Sequence, residues 1–157
     1  MDIRFARKED IPGIQRLLLQ VGQVHHDIRP DIFRSGALKY TPEELEGLLE
    51  DPTRPIFVAT EGESLLGYAF CIHRDYDGTG VSTVRKEIYV DDVCVEEAAR
   101  GRGIATALLD RVFTYAKERQ CQFVTLNVWN GNDTAQRFYE GLGMTPRNLN
   151  MEIKLEC

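Results

Sequence analysis

Apolar residues switch between two periods along the chain, and the switches mark its elements. Ile3 and Phe5 stand between polar neighbours across Asp2–Arg7, the two-residue period of a half-buried strand. From about Lys8–Pro12 the period lengthens. Ile11, Ile14, Leu17, Leu18 and Val21 share one helical face, and Glu9 and Asp10 suit its first turn. Residues Gly22 to Leu38, with His25, His26, Arg29-Pro30-Asp31, Phe33 and Gly36, hold no steady period and read as a long polar connection, often a binding loop or lid. A short helix follows, with Thr41 as cap, Pro42 in the first helical position and Glu44 completing a capping box. Leu45, Leu48 and Leu49 form its apolar side, and Asp51-Pro52 ends it.

Ile56–Thr60 and Leu65–His73 are β-rich runs joined by Glu61-Gly62-Glu63-Ser64, which predicts a hairpin. Arg74 to Val84, with Asp75, Asp77, Gly78 and Gly80, reads as an exposed loop before a strand at Glu87–Val95. Beyond Gly103, the residues Ile104, Leu108, Val112 and Ala116 recur every four positions, so a long helix runs to about Arg119. Phe123–Trp129 returns to a strand pattern. Asn130-Gly131-Asn132-Asp133 then caps a helix carrying Ala135, Phe138, Tyr139 and Leu142 and stopped by Gly143. Asn150–Leu155 alternates again and is expected to close the sheet. The order β-α-α-β-β-β-α-β-α-β predicts a single α/β (α+β) domain over residues 1–157, with helices packed on a central mixed sheet.

Composition narrows the setting more than the activity. The 157 residues are 43% hydrophobic and 28% charged, as expected of a globular domain with a real core. A net charge of −6 argues against a nucleic-acid partner and mildly favours a cationic substrate. The opening M-D-I-R-F-A-R-K-E-D is unlike a signal peptide, and no apolar run approaches the roughly 20 residues of a membrane span, so a cytoplasmic home without membrane contact is expected. Cys71, Cys94, Cys121 and Cys157 lie far apart, with no C-x-x-C pair and no histidine at metal spacing. They read as reduced structural thiols, and no metal site is expected.

The densest chemistry lies between the central strand and the long helix, at Arg100-Gly101-Arg102-Gly103-Ile104-Ala105. Glycines there let the backbone approach a ligand. The helix start adds unpaired N–H groups and a partial positive charge, and together these suit phosphate. A nucleotide P-loop is absent, and Thr106 stands where a dinucleotide fingerprint needs its third glycine.

What the run does match is R-x-x-G-x-A, through Arg100, Gly103 and Ala105, after Val93-Cys94-Val95. About 30 residues on, N-x-x-A-x-x-F-Y-x-x-x-G is filled by Asn132, Ala135, Phe138, Tyr139 and Gly143, with Met144 where phenylalanine is more usual. The pair resembles the two signatures of the GNAT superfamily of N-acetyltransferases, and the resemblance covers nearly the whole chain.

That resemblance implies a central, mostly antiparallel sheet of six to seven strands flanked by about four helices, and acetyl-CoA as co-substrate. It places Val93, Cys94 and Val95 along the pantetheine arm of the coenzyme. Arg100, Gly101, Arg102, Gly103, Ile104, Ala105 and Thr106 fall around the diphosphate, and Asn132 on the arm. Tyr139 takes the general-acid position, since a phenol with a pKa of about 10 stays protonated until a thiolate leaves. Asn132 equally suits a helix cap. For the base the resemblance points to carboxylates on the central strand, and Asp92 ranks ahead of Glu87. Asp91 is a candidate for substrate binding, although alternation sets it opposite Asp92 unless the strand bulges. His25 and His26 are further substrate-side candidates from the irregular segment. Lys39, Arg85 and Lys86 read as ordinary surface charges, Arg85 being within the choices for the coenzyme's 3′-phosphate.

The expected activity is acetyl transfer to a primary amine of a small molecule by direct attack in a ternary complex. Two other readings stand beside it: a CoA-binding regulatory or inactive relative, and a protein lysine or N-terminal acetyltransferase. Asn127, where relatives that act on protein N-termini often carry glutamate, counts against the last. A homodimer is one arrangement the resemblance implies, with Met151 to Cys157 extending a sheet across the interface.

Overall fold

Residues 1–156 are described in the computed structural model, and the chain divides into two units, Met1–Asn127 and Val128–Cys157, each taken by itself. Cys157 lies outside the described residues.

The first unit is built on a sheet of five strands among the described residues, in the order β1-β2-β3-β4-β5. These are β1 (Asp2–Phe5), β2 (Ile56–Glu61), β3 (Ser64–Asp77), β4 (Val84–Val95) and β5 (Phe123–Leu126). The first four run antiparallel to their neighbours, and β5 lies parallel to β4. This is the mixed, mostly antiparallel sheet expected, with fewer strands.

One face is covered by α1 (Ile11–Ile28) and α2 (Pro42–Leu49), the other by α3 (Ile104–Glu118). The α1 stripe Ile11, Ile14, Leu17 and Leu18 joins Leu45 of α2 and Val58, Leu65, Tyr68, Phe70 and Cys94 of the sheet in one core cluster. On the opposite face α3 buries Ile104, Leu108, Leu109, Val112, Tyr115 and Ala116. Gly67 on β3 makes that approach feasible, because a Cβ there would meet the Cys94 carbonyl at 2.9 Å and Leu108 Cδ1 at 3.1 Å.

Local chemistry explains the element ends. Thr41 and Glu44 form the capping box: the Glu44 N–H donates to Thr41 Oγ1, and the Thr41 N–H to Glu44 Oε1, both at 3.1 Å. Arg4 clamps Asp10 with two hydrogen bonds of 2.7 and 3.0 Å, which ties β1 to the start of α1. Burial is the largest single influence on the Asp10 carboxylate and raises its pKa, but the Arg4 bond, the Arg7 N–H bond and the two arginine charges together outweigh it, so the pKa lies below its usual value.

Four expectations need correction. Helix α1 does not stop near Gly22 but continues to Ile28, so His25 and His26 are helical rather than loop residues. A lone glycine costs a helix only about 1 kcal/mol, whereas Pro30 disfavours helical geometry at the preceding Arg29 and ends it there. Strands β3 and β4 reach further than their apolar runs, to a pairing of Asp77 with Val84. Arg74 lies over the Tyr89 ring and Arg85 over the Tyr76 ring, both at 3.9 Å, so charged residues supply the cross-strand contacts there. The strand at Phe123 ends at Leu126, short of Trp129. Finally, Asn150–Leu155 forms no strand, and its apolar residues are exposed.

The second unit contains α4 (Asp133–Gly141). Asn132 caps it, accepting a hydrogen bond from the Ala135 N–H at 3.3 Å, and Gly143 takes a left-handed φ of 96° after its end.

Candidate active site

A bulge in β4 decides the layout. Cys71 of β3 faces Val90, but its neighbour Phe70 faces Asp92, so Asp91 is an extra residue in the ladder. Regular alternation would send Asp91 and Asp92 to opposite faces. With the bulge, both carboxylates join one polar cluster. The Tyr68 hydroxyl donates to Asp92 Oδ2 at 2.9 Å. Lys39 Nζ donates to Asp91 Oδ2 at 2.8 Å, and the Tyr40 hydroxyl lies 3.3 Å from the same oxygen. Phe70 holds the tyrosines in place, meeting Tyr68 edge-on at 4.8 Å and stacking on Tyr40 at 5.6 Å.

The electrostatics follow from burial. Asp92 is only 9% exposed, and desolvation pushes its carboxyl up to about 6, against the pull of the Lys39 charge and the Tyr68 bond. Burial also raises Tyr68 well above the usual phenol value. Burial is the largest single influence on Lys39 and lowers its pKa, yet the bond to Asp91 and the charges of Asp91 and Asp92 together outweigh it and raise the pKa. His25 is depressed, by burial first and by the Lys39 charge second. At neutral pH Asp92 is thus an ionised but unusually basic carboxylate, suited to accept a proton.

The second feature is an open edge. Strand β5 pairs with β4 only from Glu87 to Val90, so among the described strands nothing flanks Asp91 to Val95 on that side. The Glu96 N–H donates to the Leu66 carbonyl at 2.7 Å, toward β3. Alternation therefore turns the peptide groups of Val93 and Val95 to the open side. Beyond a 3₁₀ turn at Glu97–Ala99 comes the glycine turn, with Gly101 at φ 81° and Gly103 at φ 75°, and no atom within 4 Å of where either Cβ would stand. Gly103 starts α3 without a side-chain cap, so the first-turn N–H groups of Ile104, Ala105 and Thr106 have no helical acceptor. Ile104 itself anchors this turn in the core. Arg102 reaches Glu61 of the hairpin at 2.6 Å. The strand edge followed by uncapped amides suits an extended amide-bearing arm that ends in phosphates.

Not all candidates converge. Glu87 is 2% exposed and bonded to Arg85 at 2.8 Å, but it stands five residues from Asp92, roughly 15 Å along the strand. Arg85, held by Glu87 and by the Tyr76 ring, is committed to β3–β4 packing. Cys94 points into the core, where burial pushes its thiol up to about 12, so its own sulfur is a poor nucleophile. His26 Nδ1 lies 2.7 Å from the Phe33 carbonyl, and the His25 ring lies 5.2 Å from Phe33. Tyr139 and Asn132 belong to the second unit, where Tyr139 sits mid-helix with its ring 5.2 Å from Phe138.

Three members of the cluster escape a reading of the sequence alone. Lys39 is a partner of Asp91 rather than an ordinary surface charge, and nothing in the chain ties position 39 to position 91. Tyr68 is a core aromatic whose hydroxyl alone reveals a second role. Tyr40 has no periodic context. Among the described residues no group of histidine, cysteine, aspartate or glutamate is placed to hold a metal ion, and no helix is long and apolar enough to cross a membrane.

Residues 23–144 match the model of the acetyltransferase (GNAT) family. A thialysine N-epsilon-acetyltransferase of Mus musculus is 26% identical over 153 residues, 90% of this chain and 82% of the mouse protein. An uncharacterized N-acetyltransferase of Methanocaldococcus jannaschii is 30% identical over 95 residues, which is 59% of this chain but only 40% of the archaeal one. Among solved structures, a mutant of the BH1408 protein of Bacillus halodurans superposes with a TM-score of 0.94 at 30% identity, covering 99% of this chain and all of that one. Aminoglycoside N-acetyltransferase AAC(6′)-Iy, solved with CoA, shares the fold at 18% identity with a TM-score of 0.71, over 99% of this chain and 100% of that one.

Proposed function

The chain belongs to the acetyltransferase (GNAT) family, and from that premise we propose that it transfers an acetyl group from acetyl-CoA to a primary amine of a small molecule, by direct attack in a ternary complex. The observation that carries this reading is the open stretch of β4, Asp91 to Val95, with a basic carboxylate at one end and the glycine turn at the other.

In this reading residues 1–157 act as one catalytic domain. The outward peptide groups of Val93 and Val95 bind the pantetheine amides as an added strand would, and one of their N–H groups polarises the thioester carbonyl. Amides from Arg102 to Thr106 hold the diphosphate, with Arg100 and Arg102 adding charge, and Asn132 bonds the arm while capping α4. When bound, acetyl-CoA supplies an acyl group activated as a thioester. Asp92 removes the proton that keeps the incoming ammonium from attacking, and Tyr68 holds that carboxylate in place. Asp91, with Lys39 and Tyr40, orients the amine, and His25 and His26 line its approach from the end of α1. Tyr139 gives its proton to the departing sulfur.

A small acceptor is favoured because Lys39 and Tyr40 bond to Asp91 and the neighbouring Asp92 is little exposed. Thialysine, in the name of the mouse relative, supports the same class. The high thiol pKa of Cys94 supports direct attack over a cysteine-bound acyl group. Cys71, Cys94 and Cys121 are free thiols, which suits a reducing, cytoplasmic setting. The test is thiol release from acetyl-CoA by purified protein with a panel of primary amines. Turnover with a small amine supports the reading. CoA binding without turnover on any amine would leave a binding module in its place.

A further inference from the structure

Lys39 is itself a primary amine, and it stands beside the bulge of β4, where an acceptor's amine is wanted. Its Nζ lies 2.8 Å from Asp91 Oδ2, and its charge is felt by the next residue, Asp92. Lys39 belongs to the irregular segment between α1 and α2, yet the backbone that presents it is fixed. The Gln15 side chain of α1 donates to the neighbouring Tyr40 carbonyl at 3.0 Å, and the Tyr40 ring stacks on Phe70 of β3 at 5.6 Å. The Lys39 side chain is also 43% exposed, so its amine is held by Asp91 without being sealed off.

The place matters because of the direction in which the coenzyme lies in the proposed function. Its phosphates sit at the glycine turn, Gly101 to Gly103, and its arm follows the open edge back past Val95 and Val93. The acyl end then arrives at the other end of that edge, at Asp91 and Asp92, where Lys39 Nζ is held. Resting on that reading, we propose that the protein acetylates its own Lys39 when acetyl-CoA is bound and no acceptor is present.

The Lys39 ammonium first gives one proton to Asp92, and the freed Nζ attacks the thioester carbonyl. The N–C bond forms and the C–S bond breaks. The nitrogen loses a second proton while the sulfur takes one up, leaving a neutral amide, the CoA thiol and one proton released overall. Acetylation removes the charge that pairs with Asp91, so a cationic acceptor then meets the two carboxylates without an internal rival. Uncatalysed acetylation does not favour this residue. Burial lowers the Lys39 pKa, but the bond to Asp91 and the charges of Asp91 and Asp92 raise it overall, so little of the amine is free at neutral pH. Reaction there needs a base within reach, which Asp92 supplies.

Incubating the full chain with acetyl-CoA that carries a labelled acetyl group, without any amine, tests this by peptide mass spectrometry. Lys8, 76% exposed and 3.5 Å from Glu46, gives the rate of uncatalysed reaction in the same sample. Lys39 is expected to label at least about tenfold faster than Lys8, at a rate per chain that does not change with protein concentration. Asp92→Asn is expected to slow labelling at Lys39 by about 10²-fold or more and to leave Lys8 as it was. Lys39 labelling no faster than Lys8, in protein that releases thiol with an added amine, overturns self-acetylation and leaves transfer to amines intact. A Lys39 rate unchanged by Asp92→Asn overturns it in favour of uncatalysed chemistry, and a rate proportional to protein concentration in favour of transfer between copies. Protein that neither labels Lys39 nor releases thiol with any amine overturns self-acetylation and the proposed function together.

Discussion

Replacing Asp92 by asparagine separates what the carboxylate does for catalysis from what it costs the fold. Asp92 titrates at about 6 in the native protein, against an ordinary value of 3.8. Because the native pKa lies above the unfolded one, the native state holds the proton more tightly between those values. Stability from this group is therefore full below about pH 4 and is lost as pH rises through about 6. Two pKa units correspond to about 3 kcal/mol, which the ionised carboxylate costs at pH 8. Asparagine keeps the shape, can accept the Tyr68 bond and carries no charge to desolvate. The Asp92→Asn protein should match the wild type near pH 4 and exceed it by about 1 to 3 kcal/mol at pH 8. Urea unfolding across that range measures the gap, and thiol release from acetyl-CoA should fall by about 10²- to 10⁴-fold. A variant less stable than wild type at pH 8, or a gap that does not change with pH, would refute the reasoning. A more stable and less active enzyme is the expected signature of a residue strained for function.

Three further outcomes follow from the same geometry. Gly103→Val puts a β-branched residue at φ 75°, at a cost of about 1–2 kcal/mol, and closes space meant for phosphate; calorimetry should show CoA affinity reduced at least about tenfold while the protein stays folded. Tyr139→Phe should lower kcat by about 10²-fold or more and leave CoA affinity unchanged; equal loss of both would make the tyrosine a packing residue. Lys39→Met removes the charge that draws the Asp92 pKa down, so the acid limb of the pH–rate profile should move upward from about 6; an unmoved limb would separate Asp92 from the base.

Helical stripes and the hairpin were readable because each carries its own period and punctuation, as in Thr41-Pro42-Glu43-Glu44 or Ile104 through Ala116. The glycine turn was readable for the same reason, since its composition is unusual at a strand-to-helix junction. Where long-range pairing overrides local pattern, reading failed. Arg74 to Val84 is too polar to suggest a strand, yet arginine–tyrosine stacking across β3 and β4 sustains one. The bulge at Asp91 has no local signature, because it exists only as a mismatch with β3. Without it the two aspartates cannot share a face, so the sequence left their relation open. Residues 150–155 have the strand pattern, but pattern alone does not provide a partner edge.

Amide exchange followed by NMR tests the central claim most directly, since the claim concerns particular peptide groups. Adding CoA should slow exchange at the Val93 and Val95 N–H groups and in the first turn of α3. The Glu96 amide, already bonded to Leu66, should be unaffected. If CoA leaves Val93, Val95 and Ile104 to Thr106 unchanged in folded protein, the open edge of β4 is not a cofactor site and the account fails.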